Sequence, residues 1–201
     1  LASERSVLNF RAPLPLAETA SVFAEILLSE RMLSAESDPL IQRDLLMGIL
    51  DDAYATVQRQ AFISIFEQEA HEKIHAGCTS EDLARLYMQN LREQFGEAVE
   101  LSDEFAWEWI TIPHIFHSPF YPYAYSFGQL LVLALYQQYL SEGEDFLPRY
   151  IKILEYGGSI EPKAALDEAG LDITSQDFWQ GGFNVLRTYL ERLEGILGGT
   201  Q

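Results

Sequence analysis

Apolar residues recur at intervals of three and four along most of this chain, which is the spacing of one face of an amphipathic helix. Residues 16–36 are rich in helix formers and follow Pro13–Pro15, where proline marks the entry to a helix. A second long helix is predicted from Asp38 and Pro39, an N-cap followed by a first-turn proline, to about His75. The remaining helices are predicted from Thr79 or Ser80 to about 97, at 129–140, around 144–157, around 161–170 and at 175–197.

Residues 105–128 depart from this pattern. The segment is aromatic, contains three prolines and lacks a clear period, so we expect most of it to be an ordered loop. The sequence shows neither a useful alternating strand pattern nor an internal repeat. We therefore predict an all-α protein in which residues 1–201 form a single multi-helix region.

Composition narrows the classes of partner. The chain has 201 residues, of which 48% are hydrophobic, so it is able to bury a substantial core. A formal charge of −18 argues against a nucleic-acid partner, because phosphate binding needs clustered Lys and Arg. The apolar run Leu130–Tyr136 is too short to span a bilayer, and no membrane partner is expected. The single cysteine, Cys78, excludes an intrachain disulfide and fits a reducing compartment, so we expect a cytoplasmic protein.

The stretch His71–His75, "HEKIH", fits the His-Glu-x-x-His motif of zinc peptidases. On a helical wheel the apolar face contains Phe62, Ile65, Phe66, Ala70 and Ile74, whereas both histidines fall on the far side with Ser64, Glu67 and Gln68. Histidines in a last helical turn also complement the helix dipole. We therefore predict a solvated helix end able to chelate metal adventitiously, not a catalytic site.

Glu18 is a candidate metal ligand. Glu18, Ser21 and Glu25 lie at i, i+3 and i+7, on one stripe of the predicted helix, and alanines at neighbouring positions permit close approach of another helix. A carboxylate that faces inward among small apolar residues needs a partner, and a metal ion is one. A glutamate in a first helical turn is equally explained by the helix dipole, so spacing leaves both interpretations open.

The aromatic segment also carries candidate chemistry. Tyr121, Tyr123 and Tyr125 alternate in "FYPYAY", and His114 precedes them. Tyrosine and histidine donors are able to stabilise the oxyanion formed during peptide hydrolysis. Aromatic packing with locally satisfied hydroxyls is the alternative interpretation.

Two long motifs, "PLPLAETASVFAEILL" (residues 13–28) and "WITIPHIFHSPFYPYAYSFGQLLVLALY" (residues 109–136), resemble the oligoendopeptidase F branch of the thimet-oligopeptidase-like zinc metallopeptidases. The resemblance covers nearly the whole chain and implies the C-terminal part of an all-helical, zinc-dependent endopeptidase that acts on short peptides. It implies that Glu18 is a zinc ligand and that Glu25 orients a ligating histidine. It also implies that His114, Tyr121, Tyr123 and Tyr125 contact substrate or the oxyanion, with His117 a weaker candidate because it is shifted from the family's histidine.

In the family a His-Glu-x-x-His helix supplies the other ligands and the general base. The resemblance places that helix before Leu1, so we expect these 201 residues to be inactive alone and to self-associate through the surface that the missing part would cover. The alternative is an acidic helical interaction module without enzymatic activity, related to the family in structure only.

Overall fold

A computed structural model gives the structure of residues 5–198, and every regular element in that range is helical. This confirms the all-α prediction. The α-helices are α1 Leu14–Ala17, α2 Thr19–Ala35, α3 Pro39–Ala53, α4 Arg59–His75, α5 Ser80–Phe95, α6 Pro113–His117, α7 Tyr123–Glu142, α8 Leu147–Tyr156, α9 Pro162–Glu168 and α10 Gln176–Gly198. A π-helical turn, Tyr54–Gln58, joins α3 to α4, and 3-10 helices occupy Asp103–Thr111 and Gly143–Phe146.

Capping residues begin and end several helices where the sequence predicts. The Leu40 amide donates to Asp38 Oδ1 at 2.9 Å, which caps α3. Thr79 and Asp82 form a reciprocal capping box at the start of α5. Gly77, with φ of 84°, follows the end of α4, in a conformation that glycine adopts without a steric penalty. The end of α4 at Ala76-Gly77 and the cap of α5 are therefore confirmed.

The expectation that residues 105–128 are mainly loop is wrong. The segment contains most of a 3-10 helix and all of α6, and α7 begins at Tyr123 rather than near Gln129. The prolines lie where a helix tolerates them: Pro113 is the first residue of α6, and Pro122 directly precedes α7. Pro113 and Pro122 therefore mark helix starts, which the missing period concealed.

The chain divides into two compact units, residues 1–53 with 127–201 and residues 54–126. In the first unit, α7 is apolar nearly all round, as expected for a central helix. Leu131, Val132 and Leu135 are each 0% exposed, and they pack with apolar residues of α2, α3, α8, α9 and α10. Phe23 of α2 stacks on Tyr150 of α8, with ring centroids 4.4 Å apart.

The second unit is built on the pairing of α4 with α5. Phe66 and Tyr87 meet edge to face at 4.8 Å in its buried core. Glu108, in the 3-10 helix, accepts hydrogen bonds from Arg59 on α4 at 2.7 Å and from the Tyr87 hydroxyl on α5 at 2.8 Å. Burial and the neighbouring Glu108 carboxylate raise the pKa of Tyr87, so the phenol remains a donor. This network fixes the 3-10 helix that leads to α6.

The predicted wheel of α4 is wrong at three positions. Glu67, placed on the polar side, is fully buried, whereas Ile65 and Ile74 are 46% and 56% exposed. The buried stripe is Ile63, Phe66, Glu67 and Ala70. Glu67 belongs to it because a backbone amide from a distant part of the unit reaches its carboxylate, and sequence periodicity carries no sign of such a contact. None of the helices within residues 5–198 is long and apolar enough to cross a membrane.

Candidate functional site

His114, Tyr121 and Tyr125 form one aromatic cluster in the second unit. The His114 ring stacks on Tyr121, with centroids 5.2 Å apart and an angle of 14° between the planes. Tyr125 meets both rings edge-on, at 5.7 Å from His114 and 5.2 Å from Tyr121. The Tyr125 hydroxyl lies 3.3 Å from His114 Nε2. The structure thus brings together three of the residues that the sequence singled out.

Local backbone geometry separates Tyr123 from that cluster. Tyr125 lies in the first turn of α7 and Tyr121 lies two residues before the helix begins, and their rings are in edge-on contact. Tyr123 is 51% exposed, while Pro122 and Ala124 between the tyrosines are buried. Among residues 5–198, no ring contact joins Tyr123 to the cluster.

His117, which is shifted in sequence from the family's histidine, also makes no ring contact with the cluster among the described residues. Its side chain is exposed.

The cluster combines a donor with a solvent-facing edge. His114 and Tyr121 are half-buried, and Tyr125 is 38% exposed. Burial, followed by the influence of the Tyr121 hydroxyl, raises the pKa of Tyr125 above its ordinary value. The Tyr125 hydroxyl therefore stays protonated through neutral and mildly alkaline pH, and it is available to donate a hydrogen bond.

Glu67 and Ser126, which the sequence did not single out as site residues, form hydrogen bonds that hold the segment from Phe120 to Ser126. The Phe120 amide donates to Glu67 Oε1 at 2.8 Å, and Phe120 itself has φ of 61°. Ser126, in the first turns of α7, donates to the Val57 carbonyl at 2.8 Å. Positive φ is predicted from sequence mainly at glycine, so a phenylalanine gives no warning of it.

Glu18 belongs to the first unit and lies at the junction of α1 and α2. Its Oε2 accepts a hydrogen bond from the Ser21 hydroxyl at 2.7 Å. Glu18, Ser21 and Glu25 are all exposed, as are the alanines at 17, 20 and 24. The expectation of a carboxylate facing inward is therefore wrong for this chain, because the small residues around Glu18 form an exposed helix face. The three polar residues do share one side of the helix.

The described residues do not complete a metal site by themselves. Zinc in proteins is held by several His, Cys, Asp or Glu side chains around one ion. Within residues 5–198, no group of three such side chains is placed to hold a metal. His71, Glu72 and His75 are exposed in the last turns of α4, so the prediction of a solvated helix end is confirmed. Glu18 fits the role of a single ligand only.

Residues 2–185 match the family model described as peptidase family M3. The chain belongs to this family. The M3 chain is 32% identical over 182 residues to an oligoendopeptidase F homolog of Borreliella burgdorferi, a match that covers 90% of this chain and 31% of the relative. It is also 32% identical over 184 residues to the oligopeptidase PepF of Bacillus subtilis, covering 90% of this chain and 27% of the relative. The resemblance to the oligoendopeptidase F branch is confirmed.

Solved structures show the same likeness. The M3 chain superposes on oligoendopeptidase-F from Enterococcus faecium with a TM-score of 0.82 and 30% identity, covering 92% of this chain and 36% of that structure. For a crystal structure described as a putative peptidase from Chlamydophila abortus, the TM-score is 0.87 and the identity 28%, with 95% and 32% covered. The chain thus spans about a third of the length of the relatives that it matches.

Proposed function

We propose that the full-length protein containing this chain is a zinc-dependent endopeptidase that acts on short peptides in the cytoplasm. The observation that carries the proposal is the family match over residues 2–185, which includes both motif segments. The relatives named oligoendopeptidase F support short peptides as the substrate class. The single cysteine supports a reducing compartment.

Glu18 supplies one carboxylate ligand to the zinc in this proposal. Its exposed position supports the role, because an open carboxylate is able to meet ligands from a part of the protein outside this chain. The Ser21 hydroxyl bonded to Oε2 fixes the rotamer of that carboxylate. Glu25, on the same exposed face, orients a ligating histidine by accepting its ring N–H. The zinc ion, when bound, supplies a Lewis acid for the peptide carbonyl and lowers the pKa of a bound water.

In this proposal the aromatic cluster binds the peptide substrate and stabilises its transition state. Tyr125 presents a protonated hydroxyl at the exposed edge of the cluster, suited to donate a hydrogen bond to the oxygen that gains charge as a peptide carbonyl is attacked. His114 and Tyr121 hold the Tyr125 ring through edge-on contacts. Tyr123, half-exposed beside them, is assigned to the substrate backbone.

The ligand role of Glu18 is tested in the full-length protein by Glu18→Gln, which keeps the shape of the side chain and removes its charge. Zinc per protein is measured by mass spectrometry of the metal, and hydrolysis is followed with internally quenched peptides. We expect the variant to lose most of its zinc and its hydrolysis. Glu194→Gln, an exposed glutamate of α10, is the matched control and should keep both.

The role of Glu18 and the function of the protein are tested by different outcomes. A Glu18→Gln protein that binds zinc and cleaves peptides like the parent would remove Glu18 from the site. A full-length parent protein that cleaves no peptide under any zinc loading would instead favour the interaction module.

A further inference from the structure

Glu67 is a buried ionisable group without an assigned role. Its side chain, on α4, is 0% exposed. Oε1 accepts the Phe120 amide at 2.8 Å, whereas Oε2 is buried and has no hydrogen-bond partner. Among residues 5–198, no lysine, arginine or histidine forms an ion pair with it. Within the described residues, the Phe120 amide is thus the one polar group that forms a hydrogen bond with this carboxylate.

Burial of a half-satisfied carboxyl group opposes folding, since its polar atoms lose their hydration and regain only part of it as hydrogen bonds. The neighbouring positions of the same helix stripe are Ile63, Phe66 and Ala70, where an apolar side chain would pack without that cost. Helix packing therefore gives no reason for a glutamate at 67. The reason lies in the segment that the carboxylate contacts.

Phe120 occupies a backbone conformation that residues with a Cβ rarely adopt, with φ of 61°. Such conformations persist where surrounding contacts hold them, and they concentrate at functional sites. Two contacts hold Phe120: the Glu67 hydrogen bond and the His71 ring, whose centroid lies 4.8 Å from that of Phe120. The next residue is Tyr121, whose amide closes the turn onto the Ser118 carbonyl at 3.1 Å.

The direction of the chain at Phe120 therefore sets where Tyr121 lies. The Tyr121 ring stacks on His114 and touches Tyr125, so a shift of the turn would move two contacts of the cluster together. We infer that Glu67 is a positioning residue: through the Phe120 amide it holds residues 118–121 in the one geometry that assembles His114, Tyr121 and Tyr125. The catalytic part of this inference rests on the proposed function, whereas the anchoring part does not.

The test uses the full-length, zinc-loaded protein and three substitutions. Glu67→Leu keeps the bulk and removes the acceptor, Glu67→Gln keeps an acceptor oxygen and replaces the acid with an amide, and Glu69→Gln is the matched control on the exposed side of the same helix. Hydrogen exchange at the Phe120 amide is measured by mass spectrometry with residue resolution. We expect exchange to accelerate by at least roughly tenfold in Glu67→Leu, because the amide loses its bond, and to change little in the other two.

Hydrolysis is measured on the same proteins, with kcat expressed per bound zinc. We expect Glu67→Leu to lower kcat by about tenfold or more with little change in KM, since misplaced groups weaken contacts made in the transition state. The kcat of Glu67→Gln should stay close to that of the parent protein. A purely structural role would instead lower the fraction of folded protein and leave kcat per zinc unchanged. If Glu67→Leu does not fold, Glu67→Asp takes its place, because the shorter side chain withdraws the acceptor from Phe120.

Unchanged exchange at Phe120 in Glu67→Leu or Glu67→Asp would overturn the inference. So would an equal loss of kcat in Glu67→Gln and Glu67→Leu without faster exchange, because the acid group itself rather than the hydrogen bond to Phe120 would then matter. If the parent protein cleaves no peptide, the proposed function fails, and the exchange measurement alone decides the anchoring role.

Discussion

Tyr125 is the group on which the proposed chemistry of the aromatic cluster depends. Its hydroxyl lies 3.3 Å from His114 Nε2, and its ring is held edge-on by both neighbours. Partial burial and Tyr121 raise the pKa of Tyr125 above that of an unperturbed phenol. Tyr125 therefore keeps its proton at every pH at which an ordinary tyrosine is neutral. Ionisation of Tyr125 therefore does not limit hydrolysis below about pH 10.

Removal of that hydroxyl by Tyr125→Phe leaves the ring contacts in place and takes away the donor. In the full-length protein we expect kcat to fall by roughly a hundredfold with little change in KM, as for other single donors to an oxyanion. Tyr139→Phe removes a hydroxyl from a half-buried tyrosine of the first unit and serves as the control. Steady-state kinetics on a quenched peptide gives both constants, and equal kcat values for the two variants would exclude Tyr125 as a donor.

At the scale of elements, the first unit depends on a close crossing between α7 and α10. Gly182 of α10 faces α7 so closely that a Cβ added there would lie 3.0 Å from the Leu130 carbonyl oxygen and 3.3 Å from the Ala134 amide nitrogen. Both neighbours are backbone atoms of a buried helix, which cannot move aside without disturbing the core. Glycine is required here for space, not for an unusual φ.

Gly182→Ala should therefore destabilise the unit by about 1–3 kcal/mol through overpacking, although alanine is the better helix former. Gly195→Ala, in the same helix, places its Cβ where no atom lies within 4 Å, and it should stabilise the unit by roughly 0.5–1 kcal/mol. Urea midpoints of the two variants, followed by helical circular dichroism, are expected to move in opposite directions. An increase in the urea midpoint of both variants would mean that the helix propensity of alanine outweighs its close contact with α7.

Elements with a local signal were predictable from the sequence, and those fixed by distant contacts were not. The caps at Asp38 and Thr79 follow from side chains within three residues of the amides they bind. Ser126 donates to the Val57 carbonyl within the π-helical turn Tyr54–Gln58, and the Phe120 amide donates to the buried Glu67. Both partners lie far along the chain, so periodicity missed both features. In the candidate site, the sequence supplied His114 and the tyrosines but not the turn at Phe120 that arranges them.

At the scale of the whole molecule, the described residues include the aromatic cluster and Glu18, the proposed zinc ligand. The motif that looks most like a complete catalytic helix, His71–His75, lies exposed at the end of α4. Its histidines have no third ligand among the residues described, and a zinc held by two exposed side chains would exchange readily with water. The geometry of α4 therefore favours a solvated helix end over a catalytic helix at His71–His75.

The 201-residue chain alone should thus cleave no peptide, even with added zinc, although circular dichroism should show it helical. Quenched-peptide assays with and without zinc measure this directly, and the full-length protein at equal concentration is the positive control. Turnover by the chain alone that disappears on Glu72→Gln would contradict the prediction, because Glu72 is the residue that a His-Glu-x-x-His helix would use as its base. Turnover that survives Glu72→Gln would point to a contaminating peptidase, since no other described group combines two histidines with a carboxylate on one helical turn.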